Sequence, residues 1–144
     1  MAELQTVSAV FDVLKLAWSA GVFLKKVKDA NTIASEVQDR VERLNNVLEG
    51  VRTVLQRRAA AGAPAPNDQD GSVEARINDS LKACRTFLRT LEQRLGGFGT
   101  SDNSVTSLVA RFKIAFKHPS IAKRQTDLEA RINILQTNLV ILQL

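Results

Sequence analysis

A chain of 144 residues is long enough to enclose one hydrophobic core, and its content of 44% hydrophobic and 24% charged residues is typical of a globular domain. With seven glycines and three prolines it has too few turn residues for a sheet of many strands, and its one cysteine excludes an internal disulfide. The net charge of +5 permits binding to nucleic acid, anionic lipid or acidic proteins and selects none of them.

The first predicted helix, over about residues 3–28, is apolar on nearly all sides. Its polar positions form a narrow strip made of Ser8, Asp12, Lys15, Ser19 and Lys26. Such a helix must be buried in protein or placed in lipid, and we expect the other helices to enclose most of it. Its uncharged run over 16–24 is shorter than the ~20 apolar residues of a spanning helix. Glu3 stands where a secretory signal is usually basic, and Asp12 and Lys15 interrupt the apolar stretch, so we expect a soluble, intracellular protein at rest.

Two further long helices follow, separated by a proline-containing loop over 62–71. The second helix extends from a polar turn over 29–32 to about Arg58, and the third begins near Ser72 and ends at Gly96 and Gly97. Their apolar positions recur at spacings of three and four, as in helical bundles. These positions are Ile33, Val37, Val41, Leu44, Leu48, Val51 and Leu55 in the second helix, and Val73, Ile77, Leu81, Cys84, Leu88, Leu91 and Leu95 in the third.

A short amphipathic helix is predicted over residues 105–116, and a last long helix begins at Pro119. The last helix carries the apolar residues Ile121, Leu128, Ile132, Leu135, Leu139 and Leu142. The sequence therefore predicts an all-α fold, a four-helix bundle with an additional short amphipathic helix before the last helix. Because the apolar pattern continues to Leu144, we expect residues 1–144 to form one domain, the N-terminal part of a longer protein.

The sequence does not predict an enzyme. His118 is the only histidine and lacks partners for a catalytic triad, and Cys84 lies on the core stripe of the third helix. One histidine and one cysteine do not build a zinc site. The glycines of residues 96–99 lack the lysine of a phosphate-binding loop. We therefore expect no catalytic residue, no cofactor and no metal.

Residues 105–124 contain no acidic side chain. On a helical wheel, Arg111 borders one side of the apolar face of the short helix, and Lys113 and Lys117 border the other. This arrangement suits a lipid surface, with Arg111, Phe112, Lys113, Phe116 and Lys117 as the contacting residues. The alternative is a helix docked on its own core with a solvated basic edge, which is the more frequent arrangement. Nucleic acid ranks below lipid because basic and aromatic residues form no stacking surface.

Three segments carry a resemblance to a known family. They are ELQTVSAVFDVLKLAWSAGVFLKKV, SEVQDRVERLNNVLEGVRTVL and RFKIAFKHPSIAKRQTDLEARINILQTNLVIL, in that order. This arrangement resembles the HeLo-like domain at the N-terminus of fungal STAND and NOD-like receptor proteins. That domain is similar to the four-helix bundle of the mixed lineage kinase domain-like protein and to the coiled-coil domains of plant resistance proteins.

The resemblance implies an execution domain of programmed cell death. Such a domain rests in the cytoplasm, is clustered by an upstream receptor or amyloid-signalling region, and then permeabilises the plasma membrane through its N-terminal helix. Its partners are anionic membrane lipids and further copies of itself, with no nucleic acid. The membrane-inserting residues would be Leu4, Val7, Val10, Phe11, Leu14, Trp18, Val22 and Leu24. The alternative is a helical self-association or interaction module without membrane activity.

Overall fold

The computed structural model of the protein describes residues 2–62, 68–99, 104–117 and 119–144. They form the α-helices α1 (Ala2–Val27), α2 (Thr32–Ala60), α3 (Asp68–Leu95), α4 (Val105–Phe116) and α5 (Pro119–Gln143), with a 3₁₀ turn at Lys28–Ala30 between the first two. The described residues include no strand. The all-α prediction is confirmed, and the short helix has the predicted bounds.

The ends of the helices follow from local chemistry. The Asn31 side chain accepts a hydrogen bond from the backbone N–H of Ala34 at 3.0 Å and caps α2, and Ser104 caps α4 in the same way. Helix α3 ends at Gly96, which adopts a φ of 74° that only glycine takes without strain. The N–H of Gly97 then bonds back to the carbonyl of Glu92 at 2.8 Å, which closes the helix end.

The start of α3 differs from the sequence prediction. The helix begins at Asp68 rather than near Ser72, one turn earlier, and so includes Gly71. The prediction treated Gly71 as a boundary, although one glycine inside a helix costs only ~1 kcal/mol. The prolines that define the preceding loop lie outside the described residues.

The four long helices contact one another in a closed ring. Helix α1 packs on α2 and α3, and α5 packs on the same two helices, while α4 contacts α3, α1 and α5. All predicted stripe residues of α2 and α3 are buried except Ile33. At the surface of the α2–α5 contact, the Arg40 guanidinium lies 3.4 Å from the Glu129 carboxylate. The ring encloses one hydrophobic core.

Helix α1 is not enclosed in the way the sequence predicted. One face lies in the core and includes Val10, Val13, Ala17 and Phe23, all at most 1% exposed. The opposite face is open, and Trp18 on that face is 68% exposed. The prediction was wrong because apolarity around a helix does not determine how many neighbours cover it. Helix α1 has large contacts with α2 and α3, which leaves its remaining face in water.

Candidate interaction surface on helix α1

The open face of α1 carries a row of large apolar side chains. Phe11, Trp18 and Val22 are 37%, 68% and 41% exposed, and Leu14 between them is half-buried. Their spacing of three or four residues places them on one side of the helix, so they form a contiguous surface. We call these four residues the α1 stripe. Scattered apolar residues are normal on a protein surface, whereas a contiguous set indicates a contact with lipid or protein.

The α1 stripe forms one wall of a groove between α1 and α2. The groove has a volume of about 910 Å³. Its α1 side adds Lys15 and Lys25. Its α2 side is polar and carries Gln38, Glu42, Asn45, Asn46 and Glu49. The groove therefore combines an apolar wall with a wall of amides and carboxylates, and its two edges carry charges of opposite sign.

Two features of the groove are fixed by its α2 residues. The Arg52 guanidinium lies 5.2 Å from the centre of the Phe11 ring and also bonds to Glu49, so Phe11 is held at one end of the groove.

Gln38 is only 2% exposed, and its Oε1 has no hydrogen-bond partner among the described residues. A buried acceptor of this kind costs ~1–3 kcal/mol unless it meets a donor.

The predicted membrane-inserting residues fall into two groups. Phe11, Leu14, Trp18 and Val22 lie in the α1 stripe, whereas Val10 and Leu24 are fully buried in the core. Val7 is half-buried against that core. Leu4 lies in α1, outside the side chains that the structure describes. The residues of the α1 stripe can contact another molecule while α1 remains packed in the ring, whereas Val10 and Leu24 cannot.

The N-terminal part of α1 is also held by polar contacts with α3. The Thr6 hydroxyl donates a hydrogen bond of 2.8 Å to Oε1 of Glu74, and it lies 3.3 Å from Oδ1 of Asn78. Thr6 is fully buried and Glu74 is 9% exposed. Movement of α1 away from α3 would break this contact, so it stabilises the packed position of the helix.

Phe112 is buried, and the half-buried Arg111 is bonded to the end of α3, which corrects the predicted lipid contact of Phe112 and gives Arg111 a role within the protein. The Arg111 guanidinium donates to the carbonyls of Leu95 at 2.8 Å and Gly97 at 2.7 Å, and lies 5.4 Å from the centre of the Phe23 ring. Phe112 is 1% exposed. The basic side chain closes the end of α3, because the last carbonyls of a helix have no partner within it.

The exposed part of α4 is a different set of residues from the predicted one. Lys113 and Lys117 are exposed as predicted, but the apolar residue between them is Ile114, which is 68% exposed. Phe116 is half-buried, and its ring stacks on Phe112 with centres 4.4 Å apart. Sequence analysis missed Ile114 because it lies off the main apolar face. We call Lys113, Ile114 and Lys117 the α4 patch.

Of the two residues considered for chemistry, the structure describes Cys84. Cys84 is buried, and burial raises the pKa of its thiol from 9.0 to about 12, with a smaller opposing effect of the Arg131 charge. Within the described ranges, no group of three or more His, Cys, Asp or Glu residues could hold a metal. His118 lies outside the described residues.

Helix length and composition allow a membrane role for α1 without requiring one. Residues Thr6–Ala30 are long and apolar enough to cross a bilayer, and 44% of the most apolar part is buried. The core helix of a soluble protein passes the same test. Comparison of the chain with protein family models, curated proteins and solved structures finds no match. The resemblance to the HeLo-like domain therefore stays a proposal.

Proposed function

We propose that the chain is a membrane-targeting effector domain of programmed cell death, built as a four-helix bundle of α1, α2, α3 and α5 with α4 appended. At rest it is cytoplasmic. Clustering by an upstream receptor or amyloid-signalling region brings α1 of several copies to the plasma membrane, where these helices disrupt the bilayer. The observation that carries the proposal is the α1 stripe, in which Trp18 is 68% exposed on a helix that is long and apolar enough to cross a bilayer.

The open stripe lowers the free-energy cost of a first contact with a membrane. Its side chains can enter the interface of a bilayer while the core face of α1 stays packed, because Trp18 and Val22 already face water. Phe11 would exchange its contact with Arg52 for lipid. Full transfer of α1 would then exchange protein burial of Val10, Val13 and Leu24 for lipid burial, at a similar gain of ~25 cal/mol per Å². The main cost is the surface left open on α2 and α3, and clustering covers it.

The charges of α1 favour insertion as an oligomer. Asp12 and Lys15 are exposed and separated by three residues on the helix. A charge at the centre of a bilayer costs at least ~2.5 kcal/mol on insertion scales, so a single helix carrying both is a poor spanning segment. Several copies of α1 can turn these charges towards one another or towards water. This argument predicts that leakage rises steeply with clustering.

A vesicle leakage assay tests the proposal. The protein is fused after Leu144 to a chemically induced dimerisation domain and added to dye-filled vesicles that contain phosphatidylserine. We expect leakage only with the inducer. Trp18→Gln removes the largest side chain of the α1 stripe and should weaken vesicle binding by at least about tenfold. Ile33→Gln, which replaces an exposed residue outside the groove, is the matched control. Clustered protein that neither binds nor permeabilises these vesicles would overturn the proposal.

The acidic wall of the groove favours a second candidate, a self-association or interaction module without membrane activity. Glu42 and Glu49 lie beside the α1 stripe and would repel an anionic membrane. The substitution Glu42→Lys separates the two functions. A membrane surface should bind anionic vesicles more tightly after the change. A protein contact that uses this carboxylate should weaken, as sedimentation of the clustered protein would measure.

A further inference from the structure

A second groove lies between α3 and α5, away from the α1 stripe. Its volume is about 410 Å³, within the range of small-molecule sites. Phe87 and Leu128, each only 2% exposed, form its floor. Its rim is strongly charged and is supplied mainly by α5. The groove thus has an apolar base and a charged opening.

The rim brings three cations and one carboxylate together. Lys123, Arg124 and Arg131 line the groove with Asp127, which gives the groove a net charge of +2. Their spacing of three, four and seven residues places them along one side of α5. Within the described ranges none of these four side chains has a hydrogen bond or an ion pair, whereas Arg40 and Arg111 are bonded to protein groups. The cations of the groove therefore remain available to a ligand.

We propose that this groove binds a compact organic phosphate. Two guanidinium groups offer the forked donors that phosphate oxygens accept in pairs, and Lys123 adds a third positive charge. A single carboxylate ligand would neutralise only one of the cations, whereas a phosphate monoester carries close to two charges at neutral pH. The same chemistry is offered by a phosphomonoester lipid headgroup and by a soluble phosphate ester. Binding here needs no movement of α1 and so goes beyond the membrane proposal.

Calorimetric titration with inositol trisphosphate and with inorganic phosphate tests the site in solution. The double variant Arg124→Gln with Arg131→Gln should bind inositol trisphosphate at least about tenfold more weakly than the parent protein. The control is Lys26→Gln with Arg57→Gln, which removes two exposed charges on other helices and leaves the groove intact. Its affinity should stay within about twofold of the parent, apart from long-range electrostatics that added salt removes. Equal losses in both variants, or no saturable binding by the parent, would overturn the proposal.

The carboxylate of the groove provides a test in the opposite direction. Asp127→Asn removes the one negative charge among the cations and should tighten binding of inositol trisphosphate several-fold, an effect that damage to the fold would not produce. Unchanged or weaker binding in this folded variant would contradict the proposal.

Vesicles distinguish the two sources of phosphate. Preferential capture by phosphatidic acid vesicles over phosphatidylserine vesicles of equal charge, lost in the double arginine variant, supports a lipid headgroup. Saturable binding of inositol trisphosphate without that preference supports a soluble ester. Either result is independent of leakage, so a failure of the membrane proposal would be seen separately.

Discussion

Arg111 illustrates how one side chain can change the interpretation of a pattern. In the sequence it borders an apolar helix face, which is typical of lipid-surface helices. In the structure it joins α4 to the end of α3, since its guanidinium bonds to the carbonyls of Leu95, Gly97 and Gly99. The glycines after α3 predict the end of a helix, where the last carbonyls lack partners within the helix. The identity of the donor was not predictable, because it depends on the path of the chain between the two helices.

Replacement of Arg111 should destabilise the fold. Arg111→Ala removes charge-assisted hydrogen bonds to the half-buried carbonyls of Leu95 and Gly97, and we expect a loss of about 2–3 kcal/mol in the free energy of unfolding by urea. Arg111→Lys should recover less than half of it, since an ammonium lacks the fork of donors. Lys113→Ala, an exposed neighbour on the same helix, should stay within about 0.5 kcal/mol of the parent. A similar small effect at both positions would show that the carbonyl contacts contribute little.

Cys84 should make the stability of the protein fall at alkaline pH. Burial raises the pKa of its thiol from 9.0 to about 12, so the folded state holds this proton more tightly than the unfolded chain. The resulting contribution to stability is complete below pH 9 and is lost as the pH rises towards 12. Urea unfolding of the parent and of Cys84→Ala at several pH values measures it. The parent should lose more stability than the variant as the pH rises from about 8 to about 11. Parallel curves would contradict the prediction.

At the level of elements, helix type and most helix bounds were predictable, apart from the start of α3, whereas the side of α1 that other helices cover was not. The period of three and four residues locates the buried faces of α2 and α3, because a repeated apolar stripe has one stable use, burial against another helix. The open face of α1 carries the same kind of residue as its buried face. Only the positions of α2 and α3 determine which side is covered, and these depend on long-range packing. For the same reason the α4 patch contains Ile114, which no periodicity argument selected.

Gly21 and Gly50 are both interior helical glycines, but their surroundings differ. A Cβ added at Gly21 would meet Val41 Cγ1 at 3.9 Å, an ordinary contact, whereas at Gly50 it would lie 2.7 Å from Leu139 Cδ2. We expect Gly21→Ala to stabilise the fold by about 0.5–1 kcal/mol, because alanine favours the helix and fits. Gly50→Ala gains the same helix preference but must displace Leu139, so its net gain should be smaller. Thermal unfolding checks both, and a loss of stability in Gly21→Ala would contradict the packing described here.

At the scale of the whole molecule, α1 is held on two sides and open on a third. Its contacts with α2 and α3 complete the ring, and the Thr6–Glu74 hydrogen bond adds a polar attachment near its N-terminal end. The α1 stripe gives the molecule a contact surface that exists before any rearrangement. If the proposed membrane function holds, two sequences of events are possible on clustering. Either α1 leaves the ring and enters the bilayer, or the whole bundle docks through the stripe with α1 in place.

A disulfide between α1 and α2 distinguishes these events. The pair Gly21→Cys with Val41→Cys is suitable because the Cβ position of residue 21 lies 3.9 Å from a side-chain atom of Val41. Oxidation should stabilise the fold by about 3 kcal/mol and prevent α1 from separating from α2. If α1 must leave, the oxidised, clustered protein will bind vesicles through the stripe without releasing dye, and reductant will restore leakage. Cys84 does not interfere because it is buried with a raised thiol pKa.

Controls show whether a change in dye release is due to the disulfide between residues 21 and 41. With the parent protein, the vesicles should release dye equally with and without reductant. Each single cysteine variant should behave like the parent. Leakage by the oxidised double variant at the rate of its reduced form would mean that α1 acts without leaving α2. In that case the bundle docks intact, and bilayer damage has to come from insertion of Phe11, Trp18 and Val22 into one leaflet, a mechanism that Trp18→Gln would still weaken.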